Sequence, residues 1–335
     1  MFLSPAILAL IMVSAVISLM LVLAGGFSIQ LLRLWDINSG SELQLNLERR
    51  TYLISTLLAW AFASELVSLM LFIYNAESMS GQFVGAMCAT GVLNVNEWGW
   101  PTLFLKIAIF FSGTIWLALN YLDNKGFDYP LVRIKYFLLL LIIPMVFTEF
   151  YTQTRYFLEM DPDVITSCCG SLFSVEAKGV AAEVSSLSPR DALIAMYGTG
   201  LLTILTGTWY LFKKTAGLLF SLSGIAAFIA ALMSIISYIS LYIYEHPHHH
   251  CPFCILKSGH DYAGYSLYIP LFLATALALA AGSISLWRKI PSLNDSVEIY
   301  APKLVYAALI FFNLFYALAT WWVWQSNLTM ESIWQ

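Results

Sequence analysis

The sequence predicts an all-α, polytopic integral membrane protein of about eight spanning helices, and three observations predict it. Of its 335 residues 60% are hydrophobic and only 11% charged, with a mean hydropathy of +0.77, whereas a soluble domain carries about a quarter charged residues. The apolar residues fall into long runs that reach the ~20 residues needed to cross a bilayer core. Between these runs the chain turns polar each time, on Pro, Gly, Asn and Asp. The expectation is a single membrane domain over 1–335.

The expected spans are 5–31, 53–75, 101–122, 134–152, 192–212, 217–244, 265–287 and 302–325. The first run lacks a basic n-region and outlasts the ~7–15-residue apolar core of a signal peptide, so it reads as a retained span. The second follows Arg49-Arg50 and carries Glu65; the third follows Trp98-Gly-Trp-Pro101 and carries Lys106. The fourth ends near Glu149, the fifth at Lys213-Lys214 and the sixth just before the histidine tract. The seventh is closed by Arg288-Lys289, and the eighth runs from Pro302 into Trp321, Trp322 and Trp324.

Basic residues set the sidedness. Eleven of the sixteen Lys and Arg lie on one set of connections: Arg33, Arg49, Arg50, Lys125, Arg133, Lys135, Lys213, Lys214, Arg288, Lys289 and Lys303. The alternate set holds Arg155, Lys178, Arg190 and Lys257. The positive-inside rule then puts both termini outside, as an even number of spans requires. Trp98, Trp100, Trp321, Trp322 and Trp324 gather at the outer ends, as an interfacial aromatic belt does. Loops 76–100, 153–191 and 245–264 face out and contain all five cysteines and all five histidines. In a bacterial inner membrane that face is the periplasm, where disulfides form and imported metals arrive. Within 153–191, the stretch 175–184 has the pattern of a short amphipathic surface helix.

The chemistry is concentrated in these loops. Cys251-Pro-Phe-Cys254 is a C-x-x-C pair, a spacing that brings two sulfurs within bonding reach. Next to it stand His246, His248, His249 and His250, with His260 in the same loop, so imidazole and thiolate ligands suited to zinc or copper lie side by side. Cys168 and Cys169 are adjacent; a bond between neighbours is strained and labile, so a soft-metal clamp or pairing elsewhere suits them better. Cys88 lies in Gly85-Ala-Met-Cys-Ala-Thr-Gly91, where Met87 offers a thioether. With an odd number of cysteines, at least one thiol is unpaired, metal-bound or shared with another chain.

The segment Cys251-Pro-Phe-Cys-Ile-Leu256, just outside a span, resembles the membrane-edge cysteine pair of the vitamin K epoxide reductase and DsbB-type disulfide-generating families. The resemblance covers six residues; the eight-span count, Lys257-Ser-Gly-His-Asp261 and the histidine tract are not part of those families' pattern. It implies that Cys251 and Cys254 pass electrons to a quinone and that Cys88, Cys168 or Cys169 relays them from a substrate protein.

Ionisable residues inside spans are functional candidates. Glu65 and Lys106 fall at similar depths in antiparallel spans, which predicts an ion pair or a polar site for a quinone; Glu149 and Arg155 are expected to pair in the same way. Asn120 and Asn313 are expected to bond between helices.

Absent motifs narrow the function. There is no P-loop, so the chain does not itself use a nucleotide, and no Cys-x-x-Cys-His for c-type haem. No histidine falls in a span to hold haem b, and no clustered basic face exists for nucleic acid. Three functions stay open. One is a thiol–disulfide electron carrier, an oxidoreductase with a periplasmic redox partner and a quinone. The second is a copper- or zinc-handling protein with a metal-carrier partner. The third is a non-catalytic subunit, stapled on its outer face, of a larger membrane complex.

Overall fold

The computed structural model describes residues 4–166 and 187–329; Cys168, Cys169 and the stretch 175–184 lie outside the described residues. The described residues are helical, with no strand among them. Eight helices are long and apolar enough to cross a membrane: Pro5–Leu34, Glu42–Gln82, Gly99–Asp123, Val132–Leu158, Pro189–Lys213, Gly217–Tyr244, Ala263–Ser285 and Asn294–Gln325.

In chain order the α-helices are α1 (Pro5–Leu34), α2 (Glu42–Ser78), the short α3 (Ala89–Leu93), α4 (Gly99–Asp123) and α5 (Val132–Leu158). After the undescribed segment come α6 (Pro189–Lys213), α7 (Gly217–Ser234), α8 (Ser240–Tyr244), α9 (Ala263–Ser285) and α10 (Asn294–Gln325). Each expected span has its helix, but two boundaries move. The second helix starts at Glu42 rather than 53, because the polar stretch ahead of the apolar run is itself a good helix former. Gln44 Nε2 bonds Glu48 Oε1 at 3.0 Å along it. The last helix starts at Asn294 rather than 302 and runs through Pro302, with Val297 and Ala301 buried ahead of the proline. Proline is tolerated in spanning helices, where local adjustments satisfy the released carbonyl.

The chain folds as two compact units. The first comprises Met1–Asn75, Asn96–Met160 and Ser283–Ile299. In it α1 and α4 both pack on α5. Its core includes Leu21, Phe27, Phe62, Trp116, Tyr136 and Leu139, all nearly inaccessible. Two lysines are sealed into this apolar setting by carboxylates. Lys135 Nζ lies 2.7 Å from Asp123 Oδ2 and donates to Asn120 Oδ1 at 3.0 Å. Lys106 Nζ lies 2.7 Å from Glu149 Oε1.

The second unit comprises Ala76–Val95, Asp161–Gly282 and Tyr300–Gln335. Small residues let its helices approach closely: a Cβ at Gly200 would fall 2.4 Å from the Tyr316 ring, and Ser221 Oγ donates to Ala278 O at 2.5 Å. Asn313 bonds its own helix, donating to Leu309 O at 2.7 Å, and not another helix as expected. The helix α7 leads into a π-turn at Ile235–Ile239 before α8. Such turns leave carbonyls displaced from the regular ladder, and this one serves the site below.

Candidate functional site

The loop after α8 begins with a sharp stop. Glu245 takes a left-handed φ of 51°, His246 N–H donates back to Leu241 O at 3.1 Å, and Pro247 cannot continue the helix. The π-turn then holds the histidine tract, since the Ile236 carbonyl meets His250 Nδ1 at 3.0 Å and accepts from Ser240 Oγ at 3.0 Å. Two tyrosines fix the next two residues from opposite ends of the loop: Tyr244 Oη donates to Cys251 O at 2.5 Å, and Tyr268 Oη to Pro252 O at 2.7 Å. Cys254 opens a 3-10 turn to Leu256. Gly264 lets this turn lie against α9, where a Cβ would sit 2.7 Å from Leu256.

The loop carrying Cys88 is built as tightly. Gly85 has φ +84°, and a Cβ there would stand 2.2 Å from Thr166 O, so only glycine fits. Thr166 clamps the same loop, its N–H donating to Val84 O at 3.0 Å and its Oγ1 to Gly91 O at 2.9 Å. Glu77 Oε2 accepts the Ala89 N–H at 2.8 Å, next to Cys88, while Lys257 Nζ stands 3.6 Å from Glu77 Oε1.

These supports bring three sulfurs together. The Sγ atoms of Cys88, Cys251 and Cys254 all lie within 4.8 Å of one another, and all three residues are buried. Cys88 Sγ and Cys251 Sγ are 3.4 Å apart, and Thr90 Oγ1 lies 3.2 Å from Cys251 Sγ. Cys88 and Cys251 have no exposed surface and Cys254 is 6% exposed. Three soft donors facing one point suit Cu(I) or Zn(II), with thiolate-rich sites favouring Cu(I).

The sequence-predicted histidines stand outside this trio: among the described residues no imidazole nitrogen joins the three-sulfur group. His246 and His248 are exposed, and the Tyr244 ring lies tilted against His249 and edge-on to His260, at centroid distances of 4.1 and 4.7 Å. His249 Nε2 is buried with no hydrogen-bond partner among the described residues. Burial holds His250 and His260 below the ordinary imidazole range, with the Ile236 carbonyl pulling His250 back up and His249 pushing His260 further down. Met87 is 68% exposed, unlike the three buried sulfurs.

Two pairings expected inside the spans are corrected. Lys106 pairs with Glu149, not Glu65, and donates to Ser68 Oγ at 2.7 Å. Arg155 pairs with Glu159 one turn along its own helix, because both are exposed there while Glu149 is fully buried. Reasoning from sequence missed Glu77, Thr90, Tyr244, Thr166 and Tyr268. The usable signals were Tyr244, which ends its span directly before the histidine tract, and Gly85 in the Cys88 loop.

Comparison with protein-family models, curated proteins and solved structures finds no match to this chain. Its function is therefore read from the side chains.

Proposed function

We propose that the protein binds one soft metal ion, copper(I) in preference to zinc, through Cys88, Cys251 and Cys254 at the outward edge of a multi-pass bacterial inner-membrane protein. The convergence of three buried sulfurs from a C-x-x-C pair and a cysteine 163 residues away carries this reading. Burial favours an ion over a protein substrate, because disulfide exchange with a partner needs an accessible sulfur. A bare ion needs only a narrow entry. The thiols give up their protons as the metal binds, so affinity rises with pH. A periplasmic metal carrier is the matching partner.

The test is anaerobic Cu(I) titration of the reduced full-length protein in mild detergent, against a competing chelator. The expected result is one ion per chain, lost in Cys88→Ser, Cys251→Ser and Cys254→Ser and retained in His246→Ala and His248→Ala. Absence of stoichiometric binding would sink the reading.

One observation favours a second function, a thiol–disulfide electron carrier. Cys251 Sγ is in contact with Cys88 Sγ at 3.4 Å, within the three-sulfur group that includes Cys254. The Cys88 thiolate would attack Cys251 Sγ in a Cys251–Cys254 disulfide. That forms the Cys88–Cys251 bond and releases Cys254 as the thiolate, with no net change in oxidation. Electrons from a substrate protein would enter through Cys168 or Cys169, and a quinone would be the membrane acceptor that reoxidises the pair. In this reading Cys254→Ser traps a mixed disulfide through Cys251, and thiol trapping with mass spectrometry detects it.

A further inference from the structure

The first compact unit holds a second group of chemistry-bearing side chains that the sulfur site does not use. Glu65 on α2 is 3% exposed, and neither carboxyl oxygen has a hydrogen-bond partner among the described residues. The charges that act on it are those of Lys106 on α4 and Glu149 on α5. Glu149 is fully supported: Oε1 lies 2.7 Å from Lys106 Nζ, and Oε2 accepts from Ser14 Oγ on α1 at 2.7 Å. Further polar groups here are uncharged: Ser68 on α2, and on α5 Thr152, whose Oγ1 donates to Glu149 O at 3.1 Å, and Gln153, whose Nε2 donates to Leu10 O at 3.2 Å.

The group thus contains two carboxyls and one ammonium. Lys106 is engaged by Glu149 at 2.7 Å, which leaves Glu65 without a cation of its own if it ionises. A buried carboxylate with neither a counter-ion nor a donor is the most costly of these groups to keep in an apolar interior. One further positive charge balances the group, and the smallest is a proton. Close to the group, Ser64 and Ser68 of α2 line a groove of about 390 Å³ shared with Ala9, Leu10 and Val13 of α1, and Ser68 is also the acceptor for Lys106.

We infer that Glu65 is an exchangeable proton-binding site within the membrane-spanning part of the first unit, with the Lys106–Glu149 pair as its fixed charge reference. The Glu65 carboxylic acid releases its proton to water and becomes the carboxylate, and takes a proton up again in the reverse step. Intramembrane carboxyls of this kind mark proton paths in pumps and transporters. The inference concerns residues separate from the cysteines and stands whether or not metal binds there.

The experiment is infrared spectroscopy of the full-length protein in detergent, following the protonated-carboxyl carbonyl band through a pH titration in H2O and D2O. The expected wild-type band is present at neutral pH, shifts in D2O and disappears at alkaline pH. Glu65→Gln removes it; this variant preserves side-chain volume and breaks no hydrogen bond. Glu149→Gln also removes it, because Glu65 then ionises as the counter-ion of Lys106. A band unchanged in Glu65→Gln would overturn the inference, since Glu65 would then be ionised. A band that neither exchanges nor titrates would make Glu65 an inert structural acid, and one appearing only after sodium or potassium is removed would make the site a metal-cation site. Either result also overturns the inference.

Discussion

The two compact units bury reactive side chains in different states of completion. In the first, Lys106, Glu149, Ser14 and Ser68 supply one another with charge and donors at 2.7 Å, so the pair is closed in itself. In the second, three sulfurs meet within 4.8 Å, and the polar groups around them bond the loop backbone: Glu77 to the Ala89 N–H, Tyr244 and Tyr268 to consecutive carbonyls. A closed pair fixes helix packing. Sulfurs that face one another inside a braced loop form a soft ligand set of defined shape. Burial alone does not mark function; what matters is the chemistry of the groups it brings together.

That contrast predicts the sizes of mutational effects. The largest concerns the closed pair. Lys106→Met leaves Glu149 buried without its cation and lowers stability by about 3–5 kcal/mol. The double variant Lys106→Met/Glu149→Gln recovers most of that loss. Denaturant or thermal unfolding in detergent measures both, and strictly additive losses would show that the pair is not coupled. Next comes the frame of the sulfur site. Gly85→Ala forces a Cβ onto Thr166 O and a side chain into a left-handed conformation, costing about 1–3 kcal/mol and weakening Cu(I) binding in a competition titration. If affinity were unchanged, the Cys88 loop would not position its sulfur.

Smaller effects follow for the two phenols. Tyr244→Phe and Tyr268→Phe each remove one donor to a loop carbonyl, worth about 1 kcal/mol, and weaken metal binding by less than about tenfold. A complete loss in either would make the phenol a ligand and not a brace. The smallest belong to His246→Ala and His248→Ala, which touch exposed residues and change stability by less than about 0.5 kcal/mol. A marked fall in metal stoichiometry there would shift the site from sulfur to imidazole and erase the distinction between the loop's two halves.

The parts legible in the sequence are those set by composition and local pattern. Eight apolar runs became eight helices long enough to span, because each run is long, polar at its ends and nearly free of charge. The C-x-x-C pair was legible because its spacing is local. Which third sulfur joins it was not: Cys88 was one of three candidates with Cys168 and Cys169, and it reaches Cys251 because Gly85, Thr166 and Glu77 shape a loop far away in sequence. The partner of Lys106 was misread for a related reason. Depth along a span suggested Glu65, but the contact depends on which face α5 turns toward α4, and that face carries Glu149. The histidine tract does not join the sulfurs. Local density signalled metal, while in the fold the π-turn carbonyl of Ile236 meets His250, and the Tyr244 ring packs on His249 and edge-on to His260.

The most direct test of the central claim is X-ray absorption spectroscopy of the full-length protein loaded with one equivalent of Cu(I) under reducing conditions. The account predicts a first coordination shell of sulfur alone, from three thiolates, that loses one scatterer in Cys88→Ser. A shell dominated by nitrogen, or a spectrum indifferent to Cys88, would contradict it.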